Sequence, residues 1–286
     1  MLTESLIVSH ESLGAEEQRL RRLVLKGPIA KTARAGQFVA VRVHSAAKSS
    51  FDPLLRRPVS IAEIWPEQNE IALIYRIQGI GTEVLARAVS GEMLSVMGPL
   101  GRGFKMPSSG AVWLIAGGLG AFPLYALAQS AMAHGLAVHL FWGGDDRQFL
   151  QSAGLGEWRK LNIPLQLTTI DGSLGERGIV TEPVLRGLRQ LRGESKTGKP
   201  GFPQISQAVQ IAACGPKKML QAVTKLAMEF GVPVQVSLEE RMGCAVGACL
   251  GCVCTVRDKA GILGHKKICK DGPVFWGEEV VWDELC

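Results

Sequence analysis

Four cysteines near the end of the chain have the residue type and spacing of a metal site. Cys244, Cys249 and Cys252 follow one another in C-x4-C-x2-C spacing, and Cys269 comes after a gap. Plant-type [2Fe-2S] clusters have this ligand spacing, and four thiolates complete the ligand set. The spacing therefore predicts a [2Fe-2S] cluster whose first three ligands share one loop and whose fourth returns from a later segment.

The glycines of this loop favour the same interpretation. Gly243, Gly247 and Gly251 lie between and beside the cysteines. Glycine lets the backbone adopt conformations that other residues avoid, which brings N–H groups close to sulfur. Hydrogen bonds from such groups tune the reduction potential of a cluster.

Two other uses of the cysteines are less favoured. A structural zinc site usually pairs its ligands as two C-x2-C units or as C-x2-C with two histidines, and this pattern is neither. Disulfides belong to oxidising compartments, but the first residues, MLTESLIVSHESLG, carry glutamates and lack the apolar core of a secretory signal. Cys254 is predicted to be a packed, inert thiol, and Cys286 a thiol in a frayed tail.

A candidate flavin site lies in the first third of the chain, at Arg57, Pro58, Val59 and Ser60. An arginine can clamp a pyrophosphate, and a serine at a strand end can offer its hydroxyl to a ring nitrogen or carbonyl of a flavin. Arginines stand near serines often by chance, so a plain exposed strand end is the alternative.

A second part of this site is expected just downstream. Ile74, Tyr75 and Arg76 end a strand, and a glycine-rich turn containing Gly81 and Thr82 then opens an amphipathic stretch. A turn of this kind presents unpaired N–H groups and the positive end of a helix dipole, which suits pyrophosphate. The alternative is an ordinary strand-to-helix turn with Thr82 as the N-cap.

A candidate nucleotide site begins after the apolar run AVWLIA. Gly117, Gly118 and Gly120 follow this run in G-G-x-G form and precede a helical stretch, as in the phosphate-binding turn of a nucleotide fold. After the next predicted strand come Asp145 and Asp146, where a 2′-phosphate would require arginine. This favours NAD over NADP, although Arg147 keeps NADP open as the alternative.

A further segment, Cys214, Gly215 and Pro216, follows the fourth predicted strand of the same region. Ligands of open parallel sheets bind at the carboxyl ends of the strands, where this segment, Gly117 and Asp171 are all expected. We therefore include it in the nucleotide site. A nucleophilic cysteine is the alternative, but no histidine stands in a partnering motif.

The elements that position these sites divide into three predicted domains. Residues 1–105 contain short strands of alternating residues, which predict an antiparallel β-barrel for FAD. Residues 106–236 alternate strands and helices, which predicts an α/β doubly wound parallel sheet for NAD. Residues 237–286 form the small [2Fe-2S] domain. The segment 192–206 is predicted to be a surface loop without chemistry.

Composition limits the function classes. The chain has 286 residues, 47% of them hydrophobic, and a formal charge of +6 from scattered residues. No apolar run reaches the roughly 18 residues of a membrane span, and no basic platform with interleaved aromatics suggests nucleic acid. Seven cysteines without a secretory signal indicate a reducing cytoplasm.

Taken together, these segments resemble the ferredoxin-reductase superfamily. More narrowly, GCAVGACLGCVC with KKICKDGPVF is similar to the electron-transfer subunits of class B dihydroorotate dehydrogenases, and the similarity extends over nearly the whole chain. The resemblance implies that Arg57 to Ser60, Ile74 to Arg76, and Gly81 with Thr82 hold FAD, and that the four cysteines hold the cluster. Phe122 departs from the pattern, because a small residue usually precedes the proline there.

The resemblance also implies a function. NAD exchanges a hydride, a [2Fe-2S] centre exchanges one electron, and a flavin converts between the two, so no general acid or base is needed. A partner subunit with FMN would oxidise dihydroorotate in pyrimidine biosynthesis, in a heterotetramer of two catalytic and two electron-transfer chains. The alternatives are a small subunit of another NAD(P)H oxidoreductase, such as a ferredoxin:NADP reductase, sulfite reductase or hydrogenase partner, and a non-enzymatic metal-binding module.

The apolar residues of the cysteine loop are expected to form the docking face. Electrons have to leave through the surface, so the cluster should lie near it. Ala245, Val246, Leu250 and Val253 surround the cysteines, and an exposed apolar patch marks an interaction site.

Overall fold

A computed structural model describes residues 1–45, 52–194 and 208–284 of the chain. Most of the predicted surface loop at 192–206, together with Cys286, lies outside these residues. Among the described helices, none is both long and apolar enough to cross a membrane.

The N-terminal region is a closed antiparallel barrel with strand order β1-β2-β5-β4-β3-β6. Its strands are β1 (Leu2–Leu13), β2 (Leu20–Lys26), β3 (Phe38–Ser45), β4 (Arg57–Trp65), β5 (Glu70–Arg76) and β6 (Met93–Leu100). Alternate residues such as Leu23, Ile61 and Leu73 fill the barrel interior. The predicted barrel is confirmed. Strand β6 is difficult to predict from the sequence because Gly98 and Pro99 near its end are typical of a turn.

The central region is a mostly parallel sheet with order β10-β9-β8-β7-β11-β12-β15. Its strands are β7 (Ala111–Gly117), β8 (Ala137–Gly144), β9 (Leu165–Thr169), β10 (Glu176–Arg177), β11 (Val209–Cys214), β12 (Val234–Ser237) and β15 (Val274–Trp276). The described helices of the chain are α1 (Ile80–Leu85), α2 (Ala121–Ala133), α3 (Arg147–Ser152), α4 (Leu155–Lys160), α5 (Thr181–Leu191), α6 (Lys217–Glu229) and α7 (Ile268–Asp271). The α/β prediction is confirmed.

Strand β7 shows why its apolar run forms the centre of this sheet. Trp113 and Ile115 pack into the core on one face, and Leu114 and Ala116 pack into the core on the other. A parallel strand covered on both faces by helices has this continuous apolar sequence. The loops at its carboxyl end are therefore held by a rigid base.

The C-terminal region contains the antiparallel hairpin of β13 (Val253–Arg257) and β14 (Leu263–Lys267), followed by α7 and β15. Strand β15 pairs antiparallel with β12, so the last part of the chain adds an edge strand to the central sheet. The segment before β7 is also fixed on both sides. Lys105 N–H donates to Gln235 Oε1 (2.9 Å), Gln235 Nε2 donates to Lys105 O (2.7 Å), and Phe104 N–H donates to Ala35 O (3.0 Å). These bonds fix the segment between the barrel and β12 of the sheet.

Candidate cofactor sites

A cleft of about 310 Å³ lies between the barrel and the sheet. The predicted flavin residues that line it are Arg57, Pro58, Val59, Ser60, Ile74, Tyr75, Arg76 and Thr82. Gly81 lies beneath the cleft, where a Cβ atom would overlap the Arg57 side chain. Glycine at this position therefore lets Arg57 lie across the turn that opens α1, which brings the two predicted pyrophosphate-binding elements together.

Thr82 closes this turn from the third position of the helix rather than from the N-cap position. Gly79 is the N-cap of α1, and Thr82 is its third residue. The Thr82 hydroxyl accepts hydrogen bonds from Gln78 N–H (2.9 Å) and Gly79 N–H (3.1 Å) and donates to Gly79 O (2.9 Å). The alternative that Thr82 is the N-cap is thus wrong in detail.

Tyr75 lines the cleft, but its ring belongs to the barrel interior. The phenol hydroxyl hydrogen-bonds His10 Nε2 (2.9 Å), and His10 Nδ1 hydrogen-bonds Ala88 O (2.8 Å). Burial raises the pKa of the Tyr75 phenol and lowers the pKa of His10, so both groups are neutral near pH 7. This chain of contacts fixes the end of β5 beside the cleft.

A second cleft of about 430 Å³ lies at the carboxyl ends of β7, β8, β9 and β11. It is lined by Gly117, Gly118, Asp145 and Pro216 of the predicted nucleotide site. Gly120 and Gly215 lie behind it, because a Cβ on Gly120 would overlap the Cys214 carbonyl, and one on Gly215 would approach Gly117 Cα to 2.9 Å. Both glycines allow the β7 and β11 turns to meet.

The two aspartates after β8, Asp145 and Asp146, have different roles. Asp145 lines the nucleotide cleft. Asp146 caps α3, since its Oδ1 accepts a hydrogen bond from Phe149 N–H (2.7 Å). Arg147 donates from Nε (2.9 Å) and Nη2 (2.6 Å) to Ser173 O. Asp145 therefore lines the cleft without capping α3, while the neighbouring arginine is bound to a backbone carbonyl.

The two clefts meet at Arg76 and Leu119, which line both. The Arg76 guanidinium lies 5.4 Å from the centre of the Phe149 ring. Its Nε is buried and has no hydrogen-bond partner among the described residues. An unsatisfied cationic donor at this position fits a phosphate or a flavin carbonyl. Phe122 lines the flavin cleft rather than the nucleotide cleft.

Cys214 is 1% exposed and lines neither cleft. Burial raises the pKa of its thiol, and the Glu239 carboxylate raises it further. The nucleophile alternative therefore has no support, because a nucleophile must be a thiolate in contact with a cleft. Cys214 lies opposite Ser237 in the β11–β12 pair, directly behind the flavin cleft that Ser237 and Glu239 line.

Glu239 was missed in the sequence because β12 was missed. It lines the flavin cleft, and desolvation raises the pKa of its carboxyl. Had β12 been predicted as a fifth parallel strand, its carboxyl end would have placed Ser237 and Glu239 at the same sheet edge as Cys214.

The four predicted cluster ligands lie in two pairs. The thiol of Cys249 influences the pKa of Cys244, and the thiol of Cys252 influences the pKa of Cys269, so the two members of each pair lie close together. No three His, Cys, Asp or Glu side chains in the described part of the chain are close enough to hold one ion. Two pairs of thiols are what two irons require.

Backbone groups of the loop already point at the sulfurs. Cys244 Sγ accepts hydrogen bonds from Ala248 N–H (3.2 Å) and Cys249 N–H (3.3 Å), and Cys252 Sγ accepts one from Cys269 N–H (3.4 Å). Backbone N–H groups, first that of Cys249, lower the pKa of the Cys244 thiol to about 6. The thiolate is the metal ligand, so the loop fits the cluster.

The fourth ligand and the neighbouring thiol are both buried. Desolvation, followed by the neighbouring Cys252 thiol, raises the pKa of Cys269 to about 12. Gly247 (φ +83°) lets the loop lie against α7, which carries Cys269, because a Cβ there would stand 3.1 Å from Lys270 Cβ. Cys254 lies in β13, is 2% exposed and has a pKa raised to about 11 by burial, as expected of a packed thiol.

The apolar residues expected at a docking face are only partly at the surface. Val246 and Leu250 are 46% and 63% exposed, and Val253 is half-buried. Ala245 is 4% exposed and packs in the main core at φ +59°. The expectation that Ala245 belongs to the surface is wrong, because its side chain is buried in that core.

A barrel and a nucleotide sheet with contiguous clefts, next to a four-cysteine module, define a ferredoxin-reductase-like electron-transfer protein. Residues 239–281 match the family model of the iron-sulfur cluster binding domain of dihydroorotate dehydrogenase B. The chain is similar to the electron transfer subunit of dihydroorotate dehydrogenase B (NAD(+)) from Bacillus caldolyticus, with 38% identity over 97% of this chain and 98% of that one. The corresponding subunit from Geobacillus sp. (strain WCH70) is 36% identical over 96% of both chains.

The chain belongs to the family of electron-transfer subunits of NAD-dependent dihydroorotate dehydrogenase B. Among solved structures, it is also similar to the NADH-dependent reduced ferredoxin-NADP oxidoreductase described for flavin-based electron bifurcation. That similarity has a TM-score of 0.76, 30% identity, and covers 98% of this chain and 91% of the other.

Proposed function

We propose that this chain carries electrons between NAD and an FMN-containing dihydroorotate dehydrogenase subunit, through FAD and a [2Fe-2S] cluster, in pyrimidine biosynthesis. The observation that carries the proposal is the 38% identity to a named electron-transfer subunit over almost the full length of both chains. The contiguous clefts and the paired thiols supply places for all three redox groups in one chain.

The cofactor residues follow from the two clefts and the cysteine loop. Arg57 and the turn at Gly81 and Thr82 would hold the FAD pyrophosphate, and Ser60 with the end of β5 would face the flavin ring. Gly117, Gly118 and Pro216 would hold the nicotinamide half of NAD, and Asp145 would accept a hydrogen bond from a ribose hydroxyl. When bound, the flavin supplies the exchange between hydride and single-electron transfer.

The chain itself contributes position rather than acid or base chemistry. Arg76 and Leu119 lie at the junction of the clefts, where they would help to position the nicotinamide against the flavin. The exposed Cys249 lies at the surface of the cysteine loop, beside Val246 and Leu250. Electrons would cross to the partner through this face, which would also be the docking face.

The assembly and domain division are part of the proposal. We place the FAD domain at 1–105, the NAD domain at 106–236 and the cluster domain at 237–286, with β15 of the last domain completing the central sheet. Two copies of the chain would flank a dimeric catalytic flavoprotein. The chain would work in the reducing cytoplasm, where thiols such as those of Cys214 and Cys254 persist.

Reconstitution tests this function. The isolated chain, loaded with FAD and iron, should pass electrons from NADH to an artificial acceptor but should not oxidise dihydroorotate. Adding the FMN-containing subunit should produce NAD-dependent dihydroorotate oxidation. Val246→Glu and Leu250→Glu should abolish the coupled reaction while leaving the visible spectrum intact, whereas the control Met228→Glu, 58% exposed on α6, should have no effect. Dihydroorotate turnover by the isolated chain would contradict the proposal.

A second candidate is favoured by one observation, the 30% identical NADH-dependent reduced ferredoxin-NADP oxidoreductase, which covers nearly the whole chain. In that case the same cofactors would serve a different flavoprotein partner. Purification from the native host distinguishes the two, because the co-purifying flavoprotein would oxidise dihydroorotate in the first case and reduced ferredoxin in the second.

A further inference from the structure

An exposed arginine beside the nucleotide cleft is bound to a turn of the backbone. Arg147 stands two residues after Asp145, which lines the cleft, but Arg147 itself does not line it. Its Nε and Nη2 donate to Ser173 O (2.9 and 2.6 Å), and its backbone N–H donates to Ser173 Oγ (2.8 Å). Three hydrogen bonds to one residue fix the direction of this side chain.

Ser173 is held in turn by a carboxylate. Asp171 Oδ1 accepts hydrogen bonds from Ser173 N–H (2.9 Å) and from Ser173 Oγ (2.7 Å). These two bonds lower the pKa of the Asp171 carboxyl. The Ser173 hydroxyl therefore donates to Asp171 and accepts from Arg147, so the contacts form one chain from the carboxylate to the arginine.

The backbone of this turn is determined independently of the arginine. The Thr169 hydroxyl at the end of β9 donates to Leu174 O (2.9 Å) and accepts from Leu174 N–H (3.1 Å). Gly172 has φ +78°, a conformation that other residues rarely adopt. The turn at 171–173 is thus a defined structure to which the arginine binds.

The two residue types beside the cleft favour different dinucleotides. In nucleotide-binding sheets an acidic residue binds the free ribose hydroxyl of NAD, whereas an arginine accommodates the 2′-phosphate of NADP. This chain has both, as Asp145 and Arg147. We propose that the turn at 171–173 makes the cleft selective for NAD by occupying the donors of Arg147, a step that rests on the proposed NAD function. Asp171 and Ser173 are positioning residues in this selection.

Dinucleotide binding tests the proposal without relying on turnover. Dissociation constants for NAD+ and NADP+ are measured by titration calorimetry on the FAD-loaded, iron-loaded protein. Asp171→Ala removes the acceptor of both Ser173 bonds and should strengthen NADP+ binding by about fivefold, the upper range for one exposed ion pair. NAD+ binding should stay unchanged. Ser173→Ala, which removes only the hydroxyl, should shift NADP+ binding in the same direction by a smaller factor.

Arg147→Ala separates the role of the arginine from other effects of the turn. Alone, it should leave the ratio of the two dissociation constants unchanged, because the arginine is already bound to the turn. Combined with Asp171→Ala, it should remove the whole gain in NADP+ binding. The matched control Arg159→Ala, an exposed arginine of α4 outside both clefts, should leave that gain intact. The gain should also shrink in about 1 M salt, which screens exposed charges.

Asp171→Asn distinguishes the turn from the charge of its carboxylate. Asparagine keeps a side-chain oxygen that can accept both Ser173 bonds but has no charge, so this variant should retain the selectivity for NAD. A gain in NADP+ binding by Asp171→Asn equal to that of Asp171→Ala would overturn the proposal.

Three other outcomes would also overturn it while leaving the NAD function intact. These are an unchanged ratio in both Asp171→Ala and Ser173→Ala, equal weakening of both dinucleotides by these variants, and a gain in NADP+ binding that persists without Arg147. Failure of the unsubstituted protein to bind NAD+ at all would instead overturn the proposed NAD function.

Discussion

The nucleotide turn and the cysteine loop are both glycine-rich segments that are predicted to bind a ligand, yet they are stabilised differently. The turn at Gly117 and Gly118 ends β7, where six of seven residues are buried. In the loop from Gly243 to Gly251 only Ala245 is buried. The first site is supported by the packed sheet beneath it, whereas the second is held by hydrogen bonds to sulfur and by one buried alanine.

This difference indicates how much each region depends on its ligand for an ordered backbone. A site built on strand ends is preformed, because hydrophobic burial already fixes the backbone. A loop with so little buried surface gains much of its order from metal–thiolate bonds, since metal binding is coupled to local folding. The cluster should therefore be essential to its own loop and nearly irrelevant to the nucleotide cleft.

The largest effect is expected from the cluster ligands. Cys249→Ser should remove the [2Fe-2S] cluster altogether, because no thiol then completes its pair with Cys244. Cys254→Ser should retain it, since that thiol is buried in β13 and outside both pairs. Iron and sulfide analysis with visible absorption after anaerobic purification checks both variants. Bleaching by Cys254→Ser with retention in Cys269→Ser would show that the ligand assignment is wrong.

Acid should destabilise the sheet through His139 in β8. His139 is 2% exposed, and burial lowers its pKa from 6.5 to about 4. The folded state thus binds fewer protons than the unfolded state, so this contribution to stability is complete above pH 6.5 and is lost as the pH falls toward 4. The loss between pH 7.5 and 4.5 should be about 2 to 3 kcal/mol.

Urea unfolding at both pH values measures this effect against His139→Leu. The variant should show a smaller difference between the two pH values by that amount, whatever its absolute stability. An equal pH dependence in the two proteins would show that His139 does not titrate with folding.

A smaller effect is expected at the flavin cleft. Arg57→Ala should weaken FAD binding by about 1.5 to 3 kcal/mol, the range for a hydrogen bond to a charged group. Arg87→Ala, an exposed arginine of the barrel outside the cleft, is the matched control and should not change it. Flavin fluorescence on titration of the deflavinated protein gives both constants, and equal constants would place Arg57 outside the pyrophosphate site.

The smallest effect is expected for NAD+ binding after the iron is removed, and it tests whether the two regions are independent. Removing iron with a chelator should change the affinity for NAD+ by less than about twofold, because sites without shared partners are additive within about 0.5 kcal/mol. The test is demanding, since β15 joins the cysteine region to the sheet at β12. A tenfold loss of NAD+ affinity in the iron-free protein would show that the cluster orders both regions.

The features that can be predicted from the sequence are those that depend on neighbouring residues along the chain. C-x4-C-x2-C spacing predicts three cluster ligands because all three cysteines lie in one loop. The apolar run of β7 followed at once by glycines predicts a phosphate-binding turn for the same reason. The barrel, the doubly wound sheet and the family resemblance were all accessible at this level.

The contacts between side chains from distant segments could not be predicted from the sequence and are seen only in the tertiary structure. Asp145 and Asp146 are equivalent in sequence, but the start of α3 uses one as a cap and leaves the other in the cleft. The junction at Arg76 and Leu119, the cleft position of Glu239 and the burial of Ala245 likewise depend on how strand ends and loops are packed together. The physical reason is that spacing along the chain reports local geometry, whereas the convergence of separate elements is set by sheet order and burial.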